Sequence, residues 1–191
     1  MATPARMDIP NLPKTAKAGP EMEALARFYW DAHWIGHIRP GGMGPGSPEM
    51  GGEGRAICRR IQDGLWFVCD FQQEQRLTDG TFVLTWRLHW ITGWDPAVGE
   101  YRAVCADNNG PTMALYRGRI EGDQLMYEPL ADELPRIRLT WLLLDADHLH
   151  WRNEITIDGL TWSLIEEYDM VRDGADRAAP LQPRLKAVAS A

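Results

Sequence analysis

The chain has 191 residues, with 20 Lys and Arg against 27 Asp and Glu, which gives a formal net charge of -7. This length fits one globular domain of about 100–200 residues and excludes two large ones. The acidic balance argues against nucleic acid as a partner. No apolar run approaches the roughly 18 residues that span a bilayer, and the N-terminus lacks the apolar core of a signal peptide. We therefore expect a soluble cytoplasmic protein with neither nucleic acid nor membrane as a partner.

Three cysteines and nine tryptophans stand out in the composition. Cys58, Cys69 and Cys105 are odd in number and widely spaced, unlike a disulfide framework or a CxxC motif. We expect them to be small buried hydrophobic residues. Nine tryptophans in one domain must either fill a core, which is the default, or line a cavity for a flat apolar ligand.

Prolines without apolar periodicity occupy both ends of the chain. We predict disordered tails over residues 1–19 and 173–191 around one domain over residues 20–172. Pro20 is followed by apolar residues that recur at helical spacing from Met22 onward, which predicts a short N-terminal helix.

After this helix, turn signals such as Asp79-Gly80 and Asp158-Gly159 separate short candidate strands. These strands lie near residues 32–39, 52–61, 65–77, 82–93, 100–107, 112–120, 124–129, 136–144, 148–157 and 160–171. Antiparallel strands joined in sequence form a meander, and closure removes its two exposed edges. We therefore predict an all-β fold, an up-and-down meander closed into a barrel of about 8–10 strands. The Gly- and Pro-rich segment 39–54 is predicted as a mobile loop at one rim, with a plain linker as the alternative.

A two-residue turn at Asp79-Gly80 places residues whose numbers sum to 159 opposite each other. The apolar face of this pair contains Phe67, Phe71, Trp86, Leu88 and Trp90, with Leu77 opposite Phe82. The other face pairs Asp70 with His89. Since a barrel in water has its apolar face inside, the first set is predicted in the lumen and the Asp70–His89 pair outside.

The same arithmetic about Asp158-Gly159 orders the last two strands. On the apolar face it pairs Ile155 with Trp162, Asn153 with Leu164, Trp151 with Glu166 and Leu149 with Tyr168. On the outer face it pairs His150 with Glu167 and His148 with Asp169.

This register makes Glu166 the best acid/base candidate in the sequence. A carboxylate among Trp151, Asn153 and Tyr168 loses hydration, which raises its pKa. The alternatives for Glu166 are a wet barrel mouth or a bulge that shifts the register.

The strands at 100–107 and 112–120 do not sort into one apolar and one polar face, so their lumenal face stays open. One row contains Tyr101, Cys105 and Asp107 together with small residues, and Tyr116 also has small neighbours. Small residues in these strands would leave room for a ligand.

Three stretches resemble a known family: Trp34-Ile35-Gly36 after the short helix, the segment GWDPAVGEY over 93–101, and Asp107-Asn108-Asn109-Gly110 followed by Tyr116-Arg117-Gly118. In order and spacing they are similar to the bacterial calycin-like barrels of the domain-of-unknown-function 1579 family, over about residues 25–171. The resemblance implies a lipocalin-like or fatty-acid-binding-protein-like barrel with one closed end and one open mouth, and it implies no reaction. The chain departs from the family pattern in its tryptophan content and in His33, where a glycine is usual.

His148, His150 and Glu154 share one strand face, with the spacing of the H-x-H-x3-E metal motif of cupins. The register places this face outside, and no second histidine motif follows, so we favour a solvated charged face and expect no metal or other cofactor. The sequence contains no GxSxG, P-loop or GxGxxG motif, which disfavours covalent catalysis and nucleotide binding.

These features predict a barrel that binds a small, flat, largely apolar or aromatic molecule, and they leave open whether the chain forms a homodimer. The expected ligand-binding residues are Phe67, Phe71, Trp86, Trp90, Tyr101, Asp107, Tyr116, Trp151 and Trp162. The alternative is a cofactor-independent isomerase, cyclase or lyase in which Glu166, Tyr168 and Asn153 are catalytic. A third hypothesis is a metal-dependent barrel enzyme at His148, His150 and Glu154.

Overall fold

The chain forms ten strands after one short helix in a computed structural model, which describes residues 16–110 and 113–175. Helix α1 spans Pro20–Ala26, and the strands are β1 (Ala32–Ile38), β2 (Met50–Ile61), β3 (Trp66–Leu77), β4 (Phe82–Asp95), β5 (Glu100–Asp107), β6 (Met113–Glu121), β7 (Gln124–Pro129), β8 (Arg136–Leu143), β9 (His148–Thr156) and β10 (Ser163–Arg172). No helix among the described residues is long and apolar enough to cross a bilayer. The tails predicted as disordered lie outside the described residues, apart from 16–19 and 173–175.

The sheet is closed, because β1 pairs with β2 on one side and with β10 on the other. Every other strand pairs antiparallel with its neighbours in sequence, so the predicted all-β meander barrel is confirmed. The predicted rim loop 39–54 was too long, since residues 50–54 begin β2 and pair with β1 and β3. Glycines gave this segment a loop-like composition, but at Gly52 the glycine makes room for a neighbouring side chain within a strand. A Cβ on Gly52 would lie 2.9 Å from Cε1 of Tyr168.

The predicted register of β3 and β4 is confirmed over most of the hairpin. Asp70 lies opposite His89 and Phe71 opposite Leu88, and on the outer face Nδ1 of His89 is 2.6 Å from Oδ1 of Asp70. Next to the turn the register shifts by one residue. Phe82 therefore lies opposite Arg76, and the predicted Leu77–Phe82 pair is wrong.

The predicted register of β9 and β10 is wrong, because the connection between them is longer than a two-residue turn. The carboxylate of Asp158 accepts bonds from the backbone N–H groups of Leu160 and Thr161, both at 2.8 Å, and a bulge follows between Leu164 and Glu166. The resulting pairs are Asn153–Glu166, Trp151–Tyr168, His150–Asp169 and His148–Val171. Beyond the bulge, the observed register differs from the predicted one by two residues. Because side chains alternate between the two faces with period two, Glu166 and Tyr168 still face inward.

One end of the barrel, called the closed end below, is filled by α1 and the residues that follow it. Met22 and Leu25 are buried there, and the ring of Tyr29 stacks on Phe67 with centroids 5.6 Å apart. Nε1 of Trp90 donates to the hydroxyl of Tyr29 at 2.9 Å. The helix therefore docks through apolar burial, and a hydrogen bond from Trp90 holds the segment that follows it.

Cys58 and Cys69 are directly opposite each other in β2 and β3 and are joined by a disulfide. The expectation that all three cysteines would be unpaired hydrophobic residues was therefore wrong for these two, because strand pairing brings distant positions together. Cys105 is a free thiol. Disulfides persist mainly in oxidising compartments, so this one does not support the cytoplasmic location expected above. That location stays a prediction.

Candidate ligand-binding cavity

A cavity of about 240 Å³ occupies the half of the barrel that lies opposite the closed end. The β1–β2 connection contributes Met43, which is 40% exposed, and the turn after β5 contributes the exposed Asn109. We call the barrel end formed by these two connections the mouth. The volume is slightly below the roughly 300–1,000 Å³ of typical ligand pockets, so it suits a molecule of one or two rings.

The walls of the cavity are mainly aromatic. The lining rings belong to Trp34, Phe71, Trp86, Trp90, Tyr116, Trp141, Trp151 and Tyr168. Trp151 stacks on Tyr168 with centroids 5.2 Å apart and 25° between the planes, while Trp34 is tilted against Phe71 at 5.9 Å. These pairs fix the orientation of the walls, because each ring is packed on one side by a neighbour.

Glu166 lies at one end of a chain of hydrogen bonds that runs along this aromatic wall. Asn153 donates to one carboxylate oxygen at 3.1 Å, and the Tyr168 hydroxyl donates to the other. Nε2 of Gln73 then donates to the Tyr168 hydroxyl at 2.9 Å, and Nε1 of Trp34 donates to Oε1 of Gln73 at 2.9 Å. The chain fixes the orientation of Glu166 and of the wall residues beside it.

Two glycines let Tyr168 reach this chain. In the sheet, Tyr168 is level with Gly36 of β1, which in turn is level with Gly52 of β2. A Cβ on Gly36 would clash with the Tyr168 ring, and one on Gly52 would lie 3.0 Å from the amide of Gln73. The absence of side chains at these positions therefore allows the ring to lie flat against the wall and its hydroxyl to reach Gln73.

Burial shapes the titration of the groups in the cavity. It raises the pKa of Glu166, and the hydrogen bonds from Tyr168 and Asn153 oppose this effect only in part. Burial, with the charge of Glu166 beside it, raises the pKa of Tyr168, and burial raises the pKa of Cys105 to about 12. At neutral pH Tyr168 is therefore a hydrogen-bond donor and Cys105 is an unreactive thiol.

Two amide side chains in the cavity wall keep an oxygen without a partner among the described residues. Oε1 of Gln75 is one of them, in a side chain that is only 2% exposed, and Oδ1 of Asn153 is the other. Gln73, two residues before Gln75 on the same strand, has both ends of its amide bonded. Unpaired buried acceptors cost free energy, so these two oxygens are unusual features of the wall.

Nine of the twelve residues expected to bind ligand or catalyse a reaction line this cavity. They are Phe71, Trp86, Trp90, Asp107, Tyr116, Trp151, Asn153, Glu166 and Tyr168. The inward row of β5 is the one with Tyr101, Cys105 and Asp107, which resolves the face that the sequence left open.

The other three expected residues lie elsewhere. Phe67 and Tyr101 point inward but are covered by the closed end, where Phe67 stacks on Tyr29 and the Tyr101 hydroxyl donates to the backbone oxygen of Glu21 at 2.9 Å. Trp162 lies before β10, with the guanidinium of Arg138 3.8 Å from its ring centroid. Its predicted lumenal position depended on the incorrect β9–β10 register.

Sequence reasoning missed Trp34, Gln73, Gln75 and Trp141 as wall residues. The alternation of β3 placed both glutamines on the lumenal face, and the alternation of β8 would have placed Trp141 there as well. The signal was therefore present in the strand period, but polar residues on an apolar face were not treated as site residues.

The set His148, His150 and Glu154 lies on the outer surface, as the sequence predicted. Nδ1 of His148 is 2.9 Å from Asp145, and Nδ1 of His150 is 2.8 Å from Asp169. Glu154 lies opposite Arg138. Within 16–110 and 113–175, no three His, Cys, Asp or Glu side chains are grouped as metal ligands.

Comparisons with known proteins agree with the architecture. The sequence profile of a family described as "Protein of unknown function (DUF1579)" matches residues 19–172. The crystal structure of Rv2717c from M. tuberculosis is similar, with a TM-score of 0.55 and 15% sequence identity over 81% of this chain and 98% of that chain. At this identity the likeness shows the barrel fold alone. A search of curated proteins by sequence finds no match.

Proposed function

Because the chain belongs to the DUF1579 family, whose description assigns no activity, we propose from the cavity that this protein binds a small, flat, largely apolar or aromatic molecule inside the barrel. One observation carries the proposal: aromatic rings fill the closed end, yet eight aromatic side chains surround an empty volume of about 240 Å³ toward the mouth. Native interiors are close-packed, so a cavity of this size is a feature that packing alone does not produce.

The lining suits recognition by stacking with a few polar anchors. Trp151 and Tyr168 stack on each other in the cavity wall, and Trp34, which is tilted against Phe71, packs beside Tyr168. A planar ligand among these rings gains offset-stacked or edge-to-face contacts, and its polar atoms can bond to polar side chains of the lining such as Glu166.

The test is a titration of intrinsic tryptophan fluorescence with flat aromatic compounds of one or two rings. Cys105→Phe adds a ring on the cavity wall and should abolish binding, because it occupies the volume that the ligand needs. Ala106→Phe adds the same ring one residue later on the outer face and is the matched control, so it should bind as the wild type does. Absence of a response to any compound, or equal binding by both variants, contradicts the proposal.

A second candidate function is supported by the grouping of Glu166 with Tyr168 and Asn153. A carboxyl group whose pKa is raised by burial keeps its proton to a higher pH than a free carboxyl group does, which suits it to proton transfer, and the Tyr168 hydroxyl can polarise a substrate carbonyl. The protein would then be a cofactor-independent isomerase, cyclase or lyase for the molecule that it binds.

Glu166→Gln separates the two candidate functions, since it keeps the shape of the side chain and removes its titration. An enzyme loses about 10²–10⁴-fold in turnover, measured by mass spectrometry of the bound compound, at concentrations that saturate the variant. A carrier shows no turnover before or after the substitution, and that result removes the catalytic candidate.

A further inference from the structure

The charges and unpaired acceptors of the cavity define its ligand more closely than its shape does. We propose that the cavity selects flat nitrogen-containing molecules whose edge carries N–H donors or positive charge, that Glu166 receives this edge, and that carboxylates are rejected. This inference rests on the proposed binding function and adds the chemical class of the ligand.

The first observation is the sign of the charge in the cavity. Glu166 and Asp107 line it, and none of its described lining residues is a Lys, Arg or His. Arg138 of β8 is bonded to Glu128 and lies over Trp162 on the outer face. An anionic ligand would lose its hydration beside two carboxylates with no cation to replace the lost water.

The second observation is the unused bonding capacity of Glu166. One oxygen accepts from Asn153 and the other from Tyr168, whereas an ionised carboxylate offers about four acceptor positions. Its side chain is only partly buried and lines the cavity. Glu166 can therefore accept further hydrogen bonds from a ligand without giving up those that hold it in place.

The third observation is the pair of amide oxygens without partners. Oε1 of Gln75 and Oδ1 of Asn153 lie in the same cavity wall as Glu166. Both are buried acceptors on side chains that line the cavity, so a donor-bearing ligand edge can satisfy them once the amide turns toward it, whereas a ligand that offers only acceptors leaves them unpaired. The unpaired atoms therefore favour the same class of ligand as the charge does.

The aromatic walls add to this preference. Trp34, Trp86 and Trp151 present ring faces or edges to the cavity, and the negative face of an indole attracts a cation that lies within about 6 Å of it. Stacking alone accepts any flat molecule, but stacking beside a carboxylate favours a flat cation over a flat anion of the same shape.

The experiment uses four probes that share one ring system: naphthalene, naphthol, naphthylmethylammonium and naphthoate, each titrated into the full chain by fluorescence and calorimetry. We expect affinity to fall in the order ammonium, naphthol, naphthalene, naphthoate. The ammonium should bind at least about tenfold more tightly than the carboxylate, because hydrogen bonds to charged groups are the stronger class.

Three variants locate the effect. Glu166→Gln should lower the affinity for the ammonium by about tenfold and leave naphthalene unchanged. Glu167→Gln, on the neighbouring outward residue that contacts Arg39 and His150, is the matched control and should leave all four affinities unchanged. Gln75→Met keeps the length of the side chain and should weaken naphthol relative to naphthalene.

The outcomes separate this inference from the binding function on which it rests. Equal binding of the four probes, or tightest binding of naphthoate, overturns the selectivity and leaves the binding function intact. Loss of ammonium binding in both Glu166→Gln and Glu167→Gln overturns the role of Glu166. Binding of none of the four probes contradicts both proposals, and circular dichroism of each variant shows whether its barrel is folded.

Discussion

The closed end and the mouth half of the barrel contain the same kinds of side chain. They differ in how completely the rings are packed and the polar atoms are hydrogen-bonded. At the closed end, Trp90 bonds to Tyr29, the hydroxyl of Tyr127 is 2.6 Å from Oγ1 of Thr92, and the rings of Trp90 and Tyr127 meet edge to face. In the mouth half, similar rings surround an empty volume, and the oxygens of Gln75 and Asn153 have no partner.

The difference shows that aromatic content alone does not separate a core from a ligand site. In a core, side chains fill the volume and polar atoms are paired. In a ligand site, part of the volume and some of the hydrogen-bonding groups stay available to the ligand. The β3 strand crosses both regions, because Phe67 belongs to the closed end and Phe71 and Gln75 line the cavity. Residues of one strand face can therefore test the distinction directly.

The largest expected effect comes from truncating the two phenylalanines of β3. Phe67→Ala should lower the free energy of unfolding by roughly 3–5 kcal/mol, because it opens a void in a filled region. Phe71→Ala should cost roughly half as much, since part of its ring already faces empty space. Urea denaturation of both variants measures the difference, and equal costs would mean that the two regions are packed alike.

The same two variants should differ in the opposite sense in binding. Phe71→Ala removes a cavity wall and should weaken the binding of flat aromatic probes, while Phe67→Ala should leave it nearly unchanged where the protein is folded. A fluorescence titration at low temperature, where the destabilised variant remains folded, makes this comparison.

How much of this architecture was predictable depends on how local each signal is. The ten strands were predictable because tight turns are local, and Gly80, with a φ of +88°, adopts the backbone conformation that its sequence position indicated. The faces of β3 and β4 followed from the same turn. The β9–β10 register failed because the connection after Asp158 is longer than the two-residue turn that Asp158-Gly159 indicated, and a bulge at Ile165 shifts the register once more.

The expectation that Phe67 and Tyr101 bind ligand also failed for a non-local reason. The depth to which α1 fills the barrel is a tertiary property, so the sequence does not show that these two residues are covered. The disulfide, in contrast, was predictable from the sequence. Asp63-Gly64 is a turn signal, and residues that lie opposite each other about this turn have numbers that sum to 127, as those of Cys58 and Cys69 do. Neither the volume of the cavity nor the missing partner of Gln75 can be deduced from strand period, because both depend on how side chains pack.

The next effect in size concerns buried hydroxyl groups in the two regions. Tyr127→Phe should lower the free energy of unfolding by about 1–2 kcal/mol, because it removes a bond to Thr92 in a fully buried place. Tyr168→Phe should cost less than about 1 kcal/mol, since water in the cavity can replace the lost bonds to Glu166 and Gln73. Chemical denaturation compares the two, and a larger cost for Tyr168→Phe would indicate a dry, fully packed wall.

A third prediction concerns the pH dependence of stability that Glu166 produces. Its pKa in the folded protein is raised above the ordinary value of 4.5, so the folded state binds this proton more tightly than the unfolded state does. The contribution to stability is therefore complete below pH 4.5 and is lost as pH rises through the raised pKa. The slope for one such group is at most about 1.4 kcal/mol per pH unit.

Glu166→Gln should remove this slope. The difference in unfolding free energy between the variant and the wild type should be close to constant below pH 4.5 and should increase in favour of the variant above it. Glu167→Gln, on the outer face, retains Glu166 and should keep the slope that Glu166 produces. Urea denaturation at a series of pH values makes the measurement, and a pH-independent difference for Glu166→Gln would contradict the burial of its carboxyl group.

The smallest expected effect concerns exposed ion pairs at the two ends of the barrel. For these pairs the two ends should not differ. Asp123 pairs with Arg27 at the closed end, and Asp132 pairs with Arg117 at the mouth, and both aspartate side chains are 68% exposed. Exposed pairs contribute about 0–1 kcal/mol, because water screens the charges and ordering two side chains costs entropy. Asp123→Asn and Asp132→Asn should therefore lower the unfolding free energy by similar amounts in this range, and added salt should reduce both effects. A large, salt-resistant loss at one end only would show that surface charge, rather than interior packing and polar pairing, makes the two ends different.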